Sequence, residues 1–205
     1  PAARTTCVKP AGTTSLVLGT SSGIHAWHNK YYIRRMRVGK NEAIYNYLAI
    51  NHPELVQDEY FRPHDTAVIE IPQAAPKGSI VRTESAFDLL ERVKKVATDW
   101  VATGHKSGSN THNVSATISL KDKEWEPAGE WMWENRNSYN GLSVLPYDGG
   151  TYTQAPFEDI TKAKYDEMTK LLQDIDLTKV VELNDNTDLS GELACAGGSC
   201  EVTSL

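Results

Sequence analysis

The chain has 205 residues, of which 40% are hydrophobic and 23% charged, and this composition suits one large soluble domain or two small ones. Its formal net charge of −6 excludes a general role in coating nucleic acid, because such proteins carry an excess of Lys and Arg. No apolar run approaches the roughly 20 residues that a membrane-spanning helix needs. Three cysteines, an odd number, fit a reducing cytoplasm better than a disulfide framework.

Predicted strands and helices alternate along the chain. The predicted strands cover residues 5–9, 31–38, 66–71, 114–120 and 141–145. The predicted helices cover residues 41–50, 85–103 and 122–134, and a further helix begins at Thr161. Pro72 is expected to end the third strand, and Cys7 is expected to lie in the core as part of the first. The short connections indicate an α/β domain with buried strands.

Residues 85–103 give the clearest helix signal. Ser85 can cap the first turn, and Asp88 stands three residues later, where it completes a capping box. Apolar side chains then recur at helical spacing as far as Val101, and Gly104 can end the helix.

A short loop joins the first strand to a helix that begins with hydroxyl residues. It consists of Pro10, Ala11, Gly12, Thr13, Thr14 and Ser15. The first turn of a helix offers unpaired N–H groups and a positive dipole end, and a glycine lets an anion approach the backbone closely. A phosphate would fit here, although the Gly-Lys-Ser/Thr of the Walker loop is missing. An ordinary capped turn between strand and helix explains the same spacing, so both interpretations stay open.

Two cysteines, Cys195 and Cys200, are separated by four residues in a tail of small residues near the C-terminus. A metal knuckle would need two more thiol or imidazole ligands at suitable spacing, so no metal site is predicted. A pair without any role is an alternative. A reversible dithiol–disulfide pair fits best, because thiol exchange needs exposed sulfurs and a glycine-rich tail supplies them.

Five segments occur together in an order that resembles one family of enzymes. They are TTCVKPAGTTS at 5–15, GTSSGIH at 19–25, YNGLSVLPY at 139–147, QAPFE at 154–158 and ACAGGSCE at 194–201. The combination resembles the adenosylcobalamin-dependent (class II) ribonucleoside-triphosphate reductases over essentially the whole chain. The resemblance implies that residues 1–183 are the C-terminal part of a ten-stranded α/β barrel and that residues 184–205 are a flexible redox tail.

The resemblance also implies a function. In this family, adenosylcobalamin generates a thiyl radical on a finger-loop cysteine, and two further cysteines reduce the ribose and become a disulfide. Residues 10–15 would hold the phosphates of a ribonucleoside triphosphate, with Ala11 standing where the family usually has serine. Cys195 and Cys200 would reduce the active-site disulfide and be regenerated by a thioredoxin-type reductant. The radical cysteine and the two ribose-reducing cysteines have no counterpart here, so the chain is expected to need the rest of the reductase chain for activity.

Two other functions share these features. One is a diphosphate-using (class I-type) reductase with a separate radical subunit, and the other is a non-enzymatic phosphate-binding module with a thioredoxin-reactive tail. Neither a nucleic acid nor a membrane is an expected partner, and the cytoplasm is the expected location.

Further residues are candidates for contacts in a site. His25 and His28 flank Trp27 and could line one, although a place in the core or on the surface is the default for such histidines. A basic group is formed by Arg34, Arg35, Arg37 and Lys40. It is expected to be a solvated strand face or, as the sharper alternative, a contact to phosphate or to a corrin side chain.

Overall fold

A computed structural model of the chain describes residues 1–147 and 152–184. The strands in these ranges are β1 (Tyr31–Gly39), β2 (Val56–Asp58), β3 (Thr66–Ala74), β4 (Thr117–Leu120), β5 (Ser143–Pro146) and β6 (Phe157–Asp159). The α-helices are α1 (Thr13–Leu18), α2 (Ala43–Asn51), α3 (Ala86–Val96), α4 (Trp125–Glu134) and α5 (Lys162–Leu171). A π-helical turn covers Ala97–Val101, and 3₁₀ turns cover Pro53–Leu55, Ala102–Gly104, Asp122–Glu124 and Leu177–Lys179.

The described residues form two compact units, residues 1–27 with 76–147 and residues 28–75 with 152–184. In the first unit, β4 and β5 pair in parallel, with Thr117 opposite Ser143. Every second residue of β4 is buried, as the two-residue period of a strand requires, and Ile118 packs with Leu90 and Val93 of α3 in the core. The core of this unit therefore lies between the parallel pair and α3.

Local sequence signals explain where α3 begins. Ser85 Oγ accepts a hydrogen bond from the Asp88 N–H at 3.2 Å, and Asp88 Oδ2 accepts one from the Ser85 N–H at 2.9 Å. The predicted capping box is thus confirmed. The predicted extent of the helix is also found, but the α-helix itself ends at Val96 and continues as the π-helical and 3₁₀ turns as far as Gly104.

In the second unit the strands form an antiparallel sheet in the order β2-β3-β1-β6. The long pair β1–β3 runs in register from Tyr31 opposite Ala74 to Gly39 opposite Thr66. Tyr47 and Leu48 of α2 pack with Val38 of β1 and with Ala67 and Ile69 of β3. This apolar cluster is the core of the second unit.

The prediction that Pro72 ends the third strand is wrong, because β3 continues to Ala74. The Arg35 N–H donates to Pro156 O on the β6 side of β1, so Ile33, two residues earlier, also directs its backbone groups toward β6. Pro72 lies opposite Ile33 and therefore turns its missing N–H away from β1. The pairing with β2 covers only residues 67–69, so the proline removes no ladder hydrogen bond that the described residues would make.

The prediction of a buried first strand is also wrong. Residues 5–9 form no extended ladder within the described part of the chain, and Val8 makes a single parallel bridge with Val114. Cys7 is exposed, with its carbonyl accepting a hydrogen bond from Trp100 Nε1 at 3.2 Å. The β-branched residues that suggested a strand make isolated contacts instead.

The mixture of strands and helices agrees with the α/β prediction, whereas the ten-stranded barrel stays a prediction. The boundary between residues 183 and 184 also stays a prediction, because residues 185–205 lie outside the described part. Across residues 1–147 and 152–184, no helix is both long enough and apolar enough to cross a membrane.

Candidate functional site

Residues 10–15 lie, as predicted, where the chain enters a helix. Gly12 precedes α1 with φ −65° and ψ −95° and supplies no side-chain cap. The helix has six residues and ends at Gly19, which takes the left-handed conformation at φ 61° and donates its N–H to Leu16 O at 3.2 Å. The first turn of α1 therefore keeps the unpaired N–H groups that an uncapped helix start has.

The hydroxyl group of Ser15 serves the loop itself. Ser15 is only 4% exposed, and its Oγ points at Gly12 O, at 2.8 Å, and at Ala11 O. Because a hydroxyl has one proton to donate, that proton is committed to these carbonyls. Thr14, by contrast, is exposed. Of these two hydroxyl groups, the one on Thr14 can reach a bound anion, while the one on Ser15 shapes the loop.

His25 uses both ring nitrogens. The Thr117 N–H at the start of β4 donates to His25 Nε2 at 3.0 Å, so Nε2 carries no proton. The proton is therefore on Nδ1, which donates to Ser22 O at 2.8 Å. The half-buried imidazole thus links the turn at residues 22–25 to β4. The sequence alone predicts an ordinary core or surface position for His25. Its place in the segment GTSSGIH, which resembles the reductases, is the signal that could have pointed to this structural role.

The same turn passes close to the start of the loop. Gly23 has φ +60°, and a side-chain carbon added to it would lie 3.2 Å from Lys9 O and 3.4 Å from Pro10 Cα. Only glycine combines this backbone conformation with so close an approach at little cost. Residues 22–25 therefore lie directly against Lys9 and Pro10, where the chain enters the loop.

The basic group, formed by three arginines of β1 and Lys40 just after it, is half-buried, and its cations interact with other groups of the fold. Arg35 is buried and pairs with Glu70 at 2.6 Å and Glu158 at 2.5 Å. Its neighbours are also occupied: Arg37 Nε lies 3.5 Å from Glu59 Oε1, Lys40 Nζ lies 2.5 Å from Asp58 Oδ1, and the Arg34 guanidinium lies 4.6 Å from the Phe157 ring centroid. Burial opposes the charge of Arg35, but hydrogen bonds to Glu158 and Glu70 outweigh it and raise the pKa of the guanidinium. The expected contact to phosphate or a corrin side chain is therefore not supported.

The quoted segment 154–158 holds strands of the second unit together. Gln154 takes the left-handed conformation at φ 55°, and its side chain accepts from the Tyr60 N–H at 2.9 Å and donates to Asp58 O at 2.8 Å. Arg35 Nη1 donates to Ala155 O at 3.0 Å. This motif therefore supports the fold.

His28 also belongs to the second unit. Its side chain is 6% exposed and stacks on Phe157 with the ring centroids 5.0 Å apart. Its Nε2 lies 2.9 Å from Asp159 Oδ1. The histidine is thus a packed residue beside β6.

A cavity of about 500 Å³ in the second unit lies between α2 and residues 179–184, and residues 10–15 do not line it. Among residues 1–147 and 152–184, no group of three or more His, Cys, Asp or Glu side chains is arranged to hold a metal ion. Cys195 and Cys200 lie outside the described residues, so the predicted dithiol has no structural account.

Comparison with known proteins gives relatives that cover nearly the whole chain. A protein from Euglena gracilis is 29% identical over 95% of this chain, and one from Lactobacillus acidophilus is 28% identical over 98%. A third, from Levilactobacillus brevis, is 25% identical over 98%. All three are named adenosylcobalamin-dependent ribonucleoside-triphosphate reductases. The predicted resemblance is confirmed.

This chain spans only about a quarter of those relatives, covering 26% of the Euglena protein and 27% of the Lactobacillus acidophilus one. No protein-family model matches it. Among solved structures, a B12-dependent (class II) ribonucleotide reductase superposes on 84% of the chain with a TM-score of 0.67 and 24% identity, and the match covers 23% of that reductase. The fold of this chain is therefore similar to part of a class II reductase.

Proposed function

We propose that this chain is a segment of a ribonucleotide reductase that converts ribonucleoside triphosphates to deoxyribonucleotides. The observation that carries the proposal is the similarity to reductases of that name over 95–98% of the chain. The superposition on part of a class II reductase supports it at the level of the fold. Because the chain spans a quarter of its relatives, the rest of the reductase chain is its proposed partner.

Residues 10–15 are the proposed contact to the substrate's phosphates. The uncapped first turn of α1 presents backbone N–H groups and the positive end of the helix dipole to an anion. The exposed Thr14 hydroxyl adds a donor, and the inward hydroxyl of Ser15 keeps the Ala11 and Gly12 carbonyls engaged within the loop. These groups bind and orient the phosphates and take no part in proton or hydrogen transfer.

Cys195 and Cys200 are the proposed source of reducing equivalents. One thiolate attacks the disulfide left in the active site after each turnover and forms a mixed disulfide. The second thiol of the pair then attacks the tail sulfur of this mixed disulfide and displaces the active-site cysteine still bonded to it, so two electrons and two protons pass inward and a Cys195–Cys200 disulfide remains. A thioredoxin-type reductant restores the dithiol. The cytoplasm, where such reductants keep thiols reduced, is the proposed location.

Adenosylcobalamin is the proposed cofactor on the strength of the relatives' names alone. The one group of residues that the sequence offered as a corrin contact, the cations of β1, is engaged within the fold. This basic group is therefore not a fit for the corrin.

The experiment that tests this proposal uses a chimera in which the chain replaces the corresponding segment of the Lactobacillus leichmannii reductase, to which it is 28% identical. We expect the chimera to form deoxynucleotide with adenosylcobalamin and a thioredoxin system, and the isolated chain to form none. Deoxynucleotide formation by the isolated chain would refute the need for the rest of the reductase. A folded chimera that binds triphosphate without reducing it would favour the non-enzymatic phosphate-binding module.

Cysteine variants of the same chimera test the tail. Cys195→Ser and Cys200→Ser should each abolish turnover with the thioredoxin system and retain it with a small dithiol that enters the active site directly. Cys7→Ser is the matched control, because Cys7 is exposed and has no proposed role. Full turnover of both tail variants with thioredoxin would overturn the proposed relay.

A further inference from the structure

We propose that His25 is the positioning residue of the loop at residues 10–15, holding it against β4 through the turn at residues 22–25. The inference rests on the proposed phosphate-binding role of that loop. The inference gives a structural role to residues 19–25, which are not among the proposed phosphate contacts.

The first link is the imidazole. It accepts from the Thr117 N–H at 3.0 Å and donates to Ser22 O at 2.8 Å. The ring therefore joins a strand N–H to a turn carbonyl that also accepts the backbone N–H of His25 at 3.1 Å. This geometry needs an acceptor and a donor on one rigid ring, which neutral histidine provides and an aliphatic or cationic side chain does not.

The second link is Gly23, which lies inside the turn that the imidazole holds. Its Cα faces Lys9 O and Pro10 Cα so closely that an added side-chain carbon would lie within 3.2–3.4 Å of both. A side chain at this position would therefore press on Lys9 and Pro10, and the glycine lets the turn lie directly against residues 9 and 10. Since Pro10 opens the loop, the position of the turn sets the position of the loop.

The third link holds the C-terminal end of the loop, at Ser15. Thr20, just before the turn, donates its N–H to Ser15 O at 2.9 Å. The Ser15 hydroxyl in turn holds Ala11 O and Gly12 O. Both ends of the loop are thus tied to the segment that ends at His25, and loss of the imidazole is expected to loosen the hydrogen-bonded amides of residues 16–20.

The test compares amide hydrogen exchange in residues 16–20 of the 205-residue chain and its variants, because these amides are hydrogen-bonded in α1 and at its C-terminal end. His25→Ala removes both ring hydrogen bonds and should speed exchange about tenfold, the factor that corresponds to losing one to two net hydrogen bonds. His25→Gln keeps an acceptor for the Thr117 N–H and should give an intermediate rate. His105→Ala is the control, because His105 makes its ring hydrogen bond to Gly108 O, within its own turn. Gly23→Ala should speed the same amides with the imidazole intact.

Exchange at residues 16–20 that is no faster in His25→Ala and Gly23→Ala than in His105→Ala would overturn the inference. A second measurement separates it from the proposed function. The dissociation constant for a ribonucleoside triphosphate should rise about tenfold in His25→Ala, while that for the unphosphorylated nucleoside stays unchanged. Faster exchange without any change in triphosphate affinity, in the chain and in the chimera, would uphold the positioning role and overturn the phosphate role of the loop.

Discussion

Arg35 is a cation held away from water between carboxylates from two other strands. Glu70 on β3 is nearly as buried as the arginine, whereas the side chain of Glu158 on β6 is 51% exposed. One guanidinium therefore makes two ion pairs of similar length in very different surroundings. Because a buried charge that loses its partner stays desolvated, the two carboxylates should contribute unequally to stability.

Glu70→Gln is therefore expected to lower the free energy of unfolding by about 2–3 kcal/mol, since it leaves the buried cation without its buried counter-charge. Glu158→Gln, the matched control on the same guanidinium, should cost about 0.5 kcal/mol, as for an exposed ion pair. Urea unfolding of both variants measures the difference. Equal losses would contradict the assignment of the buried pair as the stronger one.

Tyr32 provides a prediction about alkaline pH. The residue is 1% exposed, and burial raises the pKa of its hydroxyl from 10.0 to about 12, against a smaller opposing effect of the Arg34 charge. The folded state therefore keeps its proton where the unfolded chain loses it. The contribution to stability is complete below pH 10 and is lost as the pH rises through 12.

Between pH 8 and 11.5, the wild-type free energy of unfolding should thus fall by about 2 kcal/mol more than that of Tyr32→Phe, which cannot ionise at this position. Urea unfolding of the two proteins at pH 8, 10 and 11.5 gives the comparison, with pH 8 as the baseline. Parallel pH profiles would show that the ionisation of Tyr32 is not coupled to folding.

At the scale of elements, helix starts differ in how they are capped. Ser85 and Thr161 both accept hydrogen bonds from backbone N–H groups in the first turns of α3 and α5. Glu42 before α2 and Gly12 before α1 supply no such bond. The capped starts fix their helices locally, whereas α2 depends on its packing against β1 and β3.

Ser85→Ala should accordingly lower the free energy of unfolding by about 1 kcal/mol. The exposed Thr83, two residues earlier and outside the capping box, serves as the control, and Thr83→Ala should have almost no effect. Chemical denaturation of both variants provides the measurement. A cost for Thr83→Ala equal to that for Ser85→Ala would argue against the box as the source of stability.

Local interactions could be predicted from the sequence, whereas interactions between distant parts of the chain could not. The starts of α3 and α5 were predicted from residues within one helical turn, because the capping interactions are local. The prediction at Pro72 is wrong because a strand accepts a proline only where its missing N–H points away from the neighbouring strand. At Pro72 that direction is set by the pairing of β3 with β1, which lies far away in the sequence. The partners of Arg35 likewise come from β3 and β6. The exposed Thr14 and the inward Ser15 could not be told apart by composition, since both are hydroxyl residues in one loop.

At the scale of the molecule, the chain exposes large apolar side chains. Val17 and Leu18 on α1 are 80% and 68% exposed, and Phe61 and Trp133 are 78% and 70% exposed. Monomeric soluble proteins rarely leave neighbouring large apolar residues open to water. Because the relatives are about four times as long, the rest of a reductase chain is the proposed cover for these surfaces.

The isolated chain is therefore expected to self-associate, with a sedimentation coefficient that rises with concentration in the micromolar range. The double substitution Val17→Ser/Leu18→Ser should reduce this rise, while Thr20→Ser, at a neighbouring exposed position, should leave it unchanged. A monodisperse monomer that unfolds cooperatively at every concentration would contradict the expectation.

The π-helical turn at Ala97–Val101 is a place where the chain can lose one residue. Such a turn arises when one extra residue is accommodated in an α-helix without unwinding it. Removing one residue there would restore a regular helix and leave the capping box at Ser85 untouched. A one-codon gap within residues 97–101 is thus the length change that this helix can absorb most readily, and alignments of the reductases are expected to place gaps there before any other point between Ser85 and Val101.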